Sequence, residues 1–227
     1  MVAQNRLALV AGAGPGLGQA LLARFAAGGL TPVGLGRTRP DQTNGAFHAL
    51  DLADPTAVAP VNAELMAEHG PPAVVVHNTA ELVIAPFADT TLEDHQRCWS
   101  SMVQTAIVLA QATLPSMAQT GGGAFLVSGA TASLRGGARF SAFAIGKFAL
   151  RGLTQSLARE YQTAGVHVCH VILDGIIDTA RSRDRHGLQP GKMMQPADIA
   201  EAYWQLAGQP RSTWTHELDL RPASEVF

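Results

Sequence analysis

At 227 residues the chain has the length of one α/β domain and can bury a substantial core. Apolar residues make up 47% and charged residues 15%, which excludes a disordered chain. A net charge of −2 excludes the concentrated basic face that a nucleic-acid partner demands.

Met1 to Arg6 has no charged-then-apolar leader, and no apolar run reaches the length of a membrane span. The expectation is a cytoplasmic protein with no membrane partner. Leu7–Ala11 predicts a strand, followed by a glycine-rich turn and a helix from about Gly16 to Ala27. Thr31–Leu35 and Ala46–Leu50 read as the next two strands. Asp54-Pro55 supplies a helix cap with proline at the first helical position, and that helix runs to Glu68, stopped by His69-Gly70-Pro71.

Ala73–His77 is a continuous apolar strand of the kind buried on both faces of a parallel sheet. A long helix over Leu92–Met117 precedes the fifth strand, Ala124–Ser128. Phe140–Thr163 is the next long helix, Val166–Leu173 the sixth strand, Pro196–Leu206 a shorter helix and Thr215–Leu220 a seventh strand. This βαβ rhythm predicts an α/β fold: a single domain over residues 1–227, with a doubly wound parallel sheet of seven strands and helices on both faces. Cys98 and Cys169 lack a CxxC or Cys/His cluster and read as reduced, buried thiols, with no metal site expected.

Ligands of such sheets bind beyond the carboxyl ends of the strands. The first strand runs into Gly12-Ala13-Gly14-Pro15-Gly16-Leu17-Gly18, which opens a helix. Glycine is needed there where backbone must come close to a diphosphate, and the helix start supplies amides and a favourable dipole. A dinucleotide site is therefore expected. The second strand ends Leu35-Gly36-Arg37-Thr38-Arg39, with no acid before Asp41. An acid would accept from ribose hydroxyls and repel a 2′-phosphate; Arg37 would pair with that phosphate. NADP(H) is thus expected over NAD(H).

The chain resembles the short-chain dehydrogenase/reductases, whose fold is of Rossmann type, over essentially its whole length. The residues carrying the resemblance are Gly12-x-x-x-Gly16-x-Gly18, Asp51-Leu52, Asn78 within His77-Asn78-Thr79-Ala80, and Asp174-Gly175 with Thr179. It implies that Asp51 and Leu52 contact the adenine, that Asn78 lines the cofactor site, and that Gly175 and Thr179 lie beside the nicotinamide carboxamide.

It also implies a catalytic Tyr-x-x-x-Lys pair on one helical face, with a Ser and an Asn. Here that stretch reads Phe143-Ala144-Ile145-Gly146-Lys147. By the family's spacing Ala130 takes the Ser position and Met102 the Asn position, so Lys147 alone survives. Three groups are candidates to replace the tyrosine. Lys147 either binds the nicotinamide ribose or acts directly, if burial lowers its pKa. Asp174 is either a protonated donor or a turn acid. Thr131 or Ser128 would polarise a carbonyl. His77, His170, His95 and Trp99 read as packing residues.

Arg181, Arg183, Arg185, His186 and Lys192 lie within Ala180–Gln195, a stretch that reads equally as a cationic lid or a mobile solvated loop. The two long helices carry more apolar surface than one core requires, and family members pair through them, so a homodimer or homotetramer is expected. Three functions follow: an oxidoreductase on an unknown carbonyl or alcohol substrate, a catalytically silent nucleotide-binding regulator, or an isomerase or dehydratase on the same scaffold.

Overall fold

A computed structural model describes residues 6–40 and 45–224, so the start of the chain and Asp41 lie outside the described residues. Seven strands form one sheet: β1 (Leu7–Ala11), β2 (Thr31–Gly36), β3 (Ala46–Ala49), β4 (Val74–His77), β5 (Gly123–Ser128), β6 (Val166–Leu173) and β7 (Glu217–Leu220). They lie in the order β3-β2-β1-β4-β5-β6-β7, every pair parallel. The order reverses between β1 and β4, which opens a crevice at the carboxyl edge.

Alternation along each strand assigns side chains to two layers. Leu7, Leu9 and Ala11 of β1 pack toward α2 (Pro55–His69), α3 (Leu92–Trp99), α4 (Thr105–Gln119) and α5 (Ser141–Tyr161). Ala8 and Val10 pack toward α1 (Leu17–Ala27) and α7 (Pro196–Ala207). Covered on both sides, β6 buries all eight of its residues. Cys98 and Cys169 are free buried thiols, and burial pushes the Cys169 thiol up to about 12. Among the described residues no helix is long and apolar enough to cross a membrane.

The cap predicted before α2 is present: the Asp54 carboxylate accepts from the Thr56 amide at 2.8 Å, with Pro55 opening the helix. Three elements differ from the sequence reading. The helix predicted over Leu92–Met117 is interrupted by one wider π turn, Ser100–Gln104, between α3 and α4. The last strand starts at Glu217 rather than Thr215, because Thr215 commits its amide to Gln209 and its carbonyl to His167, both at 2.8 Å. Ala180–Gln195 is not loop throughout. Thr179 caps a short helix, α6 (Ala180–His186), by accepting from the Ser182 amide at 3.1 Å, and Gly187 ends it at φ 61°. Arg183, read as a lid cation, is instead committed to Asp178, with both guanidinium arms bonded to that carboxylate.

Candidate active site

The turn after β1 is shaped by close backbone approach. Gly12 holds φ +85°, and a Cβ there would meet the Asn78 carbonyl oxygen at 2.6 Å. The Asn78 side chain donates to the Gly12 carbonyl at 3.1 Å, and the Gly12 amide bonds Leu35 O at 2.9 Å. Three strand ends thus hold one turn. At Gly18 a Cβ would strike Gly12 O and Ala13, which accounts for close packing of the helix start on the turn.

Gly14, by contrast, faces open space, and Gly16, the residue before α1, brings no side-chain cap. A helix start without a side-chain cap, beside an open glycine surface, fits a diphosphate. Thr179 lies against the same turn, its methyl 2.5 Å from where a Gly16 Cβ would stand. Arg37 and Arg39 are exposed at the end of β2. Asp51 is exposed and accepts from the Ala53 amide at 3.0 Å, while Leu52 is buried beside it.

On the other side of β1, the ends of β4, β5 and β6 surround Lys147 of α5. Its Nζ is buried and donates to the Ser128 carbonyl at 2.7 Å, with the Phe143 ring centroid 5.6 Å away. Removal from water lowers its pKa to about 8. Two imidazoles lie in the same layer. His77 Nε2 contacts the Thr79 and Thr105 hydroxyls, each at 2.8 Å, and His170 Nε2 meets the Ser133 hydroxyl at 2.9 Å. Burial, with the Lys147 charge adding to it, lowers His77 to about 3 and His170 to about 4. Both are therefore neutral, and Lys147 supplies the exchangeable positive charge.

Of the positions that by family spacing would carry hydroxyl, amide and phenol, Ala130 and Phe143 are partly buried carbon side chains, and Met102 is fully buried. Met102 packs its methyl on Gly146 of α5 and fills the gap between the helices.

The proposed stand-ins are corrected by their partners. Ser128 points to the opposite layer, where its hydroxyl meets the fully buried Tyr203 at 2.8 Å, so it does not face Lys147. Strand alternation accounts for this, since Val127 faces the α4–α5 layer. Thr131 donates its hydroxyl to Asp174 Oδ1. Asp174 Oδ2 in turn lies 3.2 Å from Arg221, so both of its oxygens already face donors of the protein itself. Neither Tyr203 nor Arg221 was read from the sequence, and no local pattern announces either, for each meets its partner across the sheet or from beyond β7.

A parallel sheet with a glycine turn and an uncapped helix at its switch point defines a dinucleotide-binding α/β protein. The short chain dehydrogenase family profile matches residues 6–187. A short-chain dehydrogenase/reductase of Armillaria gallica is 31% identical over 182 residues, covering 74% of this chain and 69% of its own. The 3alpha-hydroxysteroid dehydrogenase of Mediterraneibacter gnavus is 26% identical over 241 residues, 96% of each chain. A short-chain dehydrogenase structure from Rhodopseudomonas palustris superposes with TM-score 0.82 at 32% identity, covering 97% of this chain and 100% of the other. The chain belongs to the short-chain dehydrogenase/reductase family.

Proposed function

We propose that the protein is a cytoplasmic NADP(H)-dependent oxidoreductase acting on a carbonyl or alcohol, with Lys147 delivering the proton that a tyrosine would otherwise carry. The observation that carries this reading is the buried Lys147 ammonium, lowered to about 8 and facing Phe143 where a phenol is expected. Its bond to Ser128 O orients Nζ and leaves two N–H groups for the cofactor ribose and the substrate oxygen. Near neutral pH such an ammonium is charged yet close to its pKa, as a general acid requires.

The Gly12–Gly18 amides would hold the diphosphate, Asp51 and Leu52 the adenine, and Asn78, Gly175 and Thr179 the nicotinamide half. When bound, the dinucleotide supplies the hydride. Lys147 protonates the oxygen that gains charge as hydride arrives. NADPH oxidation across a broad carbonyl panel is the test. Turnover supports the reading, whereas cofactor binding with no turnover on any substrate favours the silent regulator, the second reading that the carbon side chains of Ala130, Phe143 and Met102 suggest.

Arg37 is proposed to grip the 2′-phosphate; an alcohol dehydrogenase of Thermococcus sibiricus, alike in fold, was solved with 5-hydroxy-NADP. Charge-assisted bonds of this kind are worth ~1.5–3 kcal/mol. Arg37→Ala should therefore weaken NADPH by about 10- to 100-fold and leave NADH nearly unchanged. Titration of both coenzymes by calorimetry checks it, and equal losses would remove the NADP preference.

We also propose a homo-oligomer. Trp99, Ile145 and Phe148 of α3 and α5 are 43%, 53% and 45% exposed, an apolar face beside the packed pair. Phe148→Glu should reduce the sedimentation mass to that of the monomer; a wild-type chain already monomeric would dispose of the idea.

A further inference from the structure

We propose that Asp174 sets the redox balance of the bound cofactor: its carboxylate favours the cationic oxidised ring over the neutral reduced ring, and so biases the site toward hydride delivery. The inference rests on the dinucleotide reading above.

On the dinucleotide reading, a diphosphate at the β1 turn would leave one half of the cofactor toward β2, where Arg37 stands, and the other toward β4, β5 and β6, which lie on the opposite side of β1. Asp174 is the first residue past β6 and is 4% exposed. The segment that follows it returns to the glycine turn, since a Cβ on Gly16 would stand 2.5 Å from the Thr179 methyl. A bound dinucleotide is thus flanked on its β6 side by the segment that Asp174 begins.

The carboxylate is held rigidly. Thr131 donates to Oδ1, Arg221 lies 3.2 Å from Oδ2, and the Asp174 amide bonds Leu220 O at 2.8 Å. Arg221 does not cancel its charge outright, because the same guanidinium also binds Asp219 through Nε and Nη2. Two carboxylates share one guanidinium, so the trio carries one net negative charge. Lys147 acts from the β5 side with the opposite sign, so the bias assigned to Asp174 is the change in ratio seen when its charge alone is removed.

In the reaction a hydride, with its two electrons, leaves C4 of the reduced ring for the carbonyl carbon, and the proton passes from Lys147 to the carbonyl oxygen. The ring thereby gains a positive charge. A fixed negative charge nearby stabilises that product relative to the reduced form, which lowers the potential of the bound couple. Such a site would draw on an oxidised substrate and release an alcohol.

The test is calorimetric, on the full chain, with the oxidised and reduced coenzymes titrated separately. Asp174→Asn preserves shape and the Thr131 contact while removing the charge. It should shift the ratio of dissociation constants about tenfold toward the reduced form, the order expected for one charge across a partly screened site. Arg221→Gln strips away the counter-charge and should move the ratio the other way. It also decides the matter should the Asp174 variant fail to fold: a ratio shifted toward the oxidised form sustains the inference, an unshifted one overturns it. Both coenzymes binding Asp174→Asn at the wild-type ratio overturns it as well. If the wild-type chain binds neither coenzyme, the dinucleotide reading itself falls, a result distinct from an unchanged ratio.

Discussion

Lys147→Met should cut carbonyl reduction by about 100-fold or more while making the folded chain more stable. The rate loss follows from removing a positioned acid, typically worth about 10²–10⁴-fold. The stability gain follows from burial. A pKa lowered from 10.5 to about 8 means the charged side chain costs roughly 3 kcal/mol in the folded state. Losing the bond to Ser128 O returns about 1–2 kcal/mol of that, leaving a net gain of about 1–2 kcal/mol.

For a domain of this size that corresponds to a rise of about 3–6 °C in Tm, measured by thermal denaturation at pH 7. The sign can be checked against pH. Because the folded pKa lies below the unfolded one, the penalty is whole below pH 8 and fades as pH rises toward 10.5. The variant's advantage should vanish over that window and reverse at its upper end, where only the lost Ser128 bond remains. Reduction by the wild type should meanwhile decline about tenfold per unit above pH 8, where the ammonium is lost. Lys147→Arg keeps the charge but yields no proton, so coenzyme binding with negligible turnover is expected of it. Full activity in Lys147→Met would assign the proton to another source.

Phe143→Tyr should raise reduction by about 100-fold, since it restores a phenol beside an ammonium that already stands 5.6 Å from the ring centre. The ring is only partly buried, at the edge of the core cluster, so the position can take a hydroxyl without enclosing it fully. Steady-state kcat/KM with NADPH on any substrate turned over by the wild type provides the measurement. An unchanged value would mean that the substrate oxygen does not come within reach of position 143.

The architecture was largely legible because its determinants are local or periodic. The apolar runs at Leu7–Ala11 and Ala73–His77 and the Asp54-Pro55 cap each specify an element without reference to distant residues. The departures were local too: nothing in Ser100–Gln104 announces a wider helical turn, and the α6 cap depends on how Thr179 is presented. At the site, the sequence places Phe143 and Lys147 four residues apart, and the structure finds the Lys147 ammonium 5.6 Å from that ring's centre. The fates of Ser128, Thr131 and Asp174 were not legible in the sequence. Each is decided by a partner far along the chain: Tyr203 is 75 residues from Ser128, and Asp174 is 43 from Thr131. Such pairings arise from sheet register and layer packing, which spacing along one strand does not encode.

The wider turn at Ser100–Gln104 bears on how this pocket diverged. A π turn disturbs the regular helical ladder and is usually kept where a side chain must be aimed at chemistry. Here it aims Met102, an apolar plug, while the Ser101 carbonyl is taken up by the Thr79 and Thr105 hydroxyls at 2.6 and 2.8 Å. The wider turn thus delivers carbon to the space between α3, α4 and α5 and ties its own carbonyl to two threonines, so the helix break is held by side chains on both of its faces.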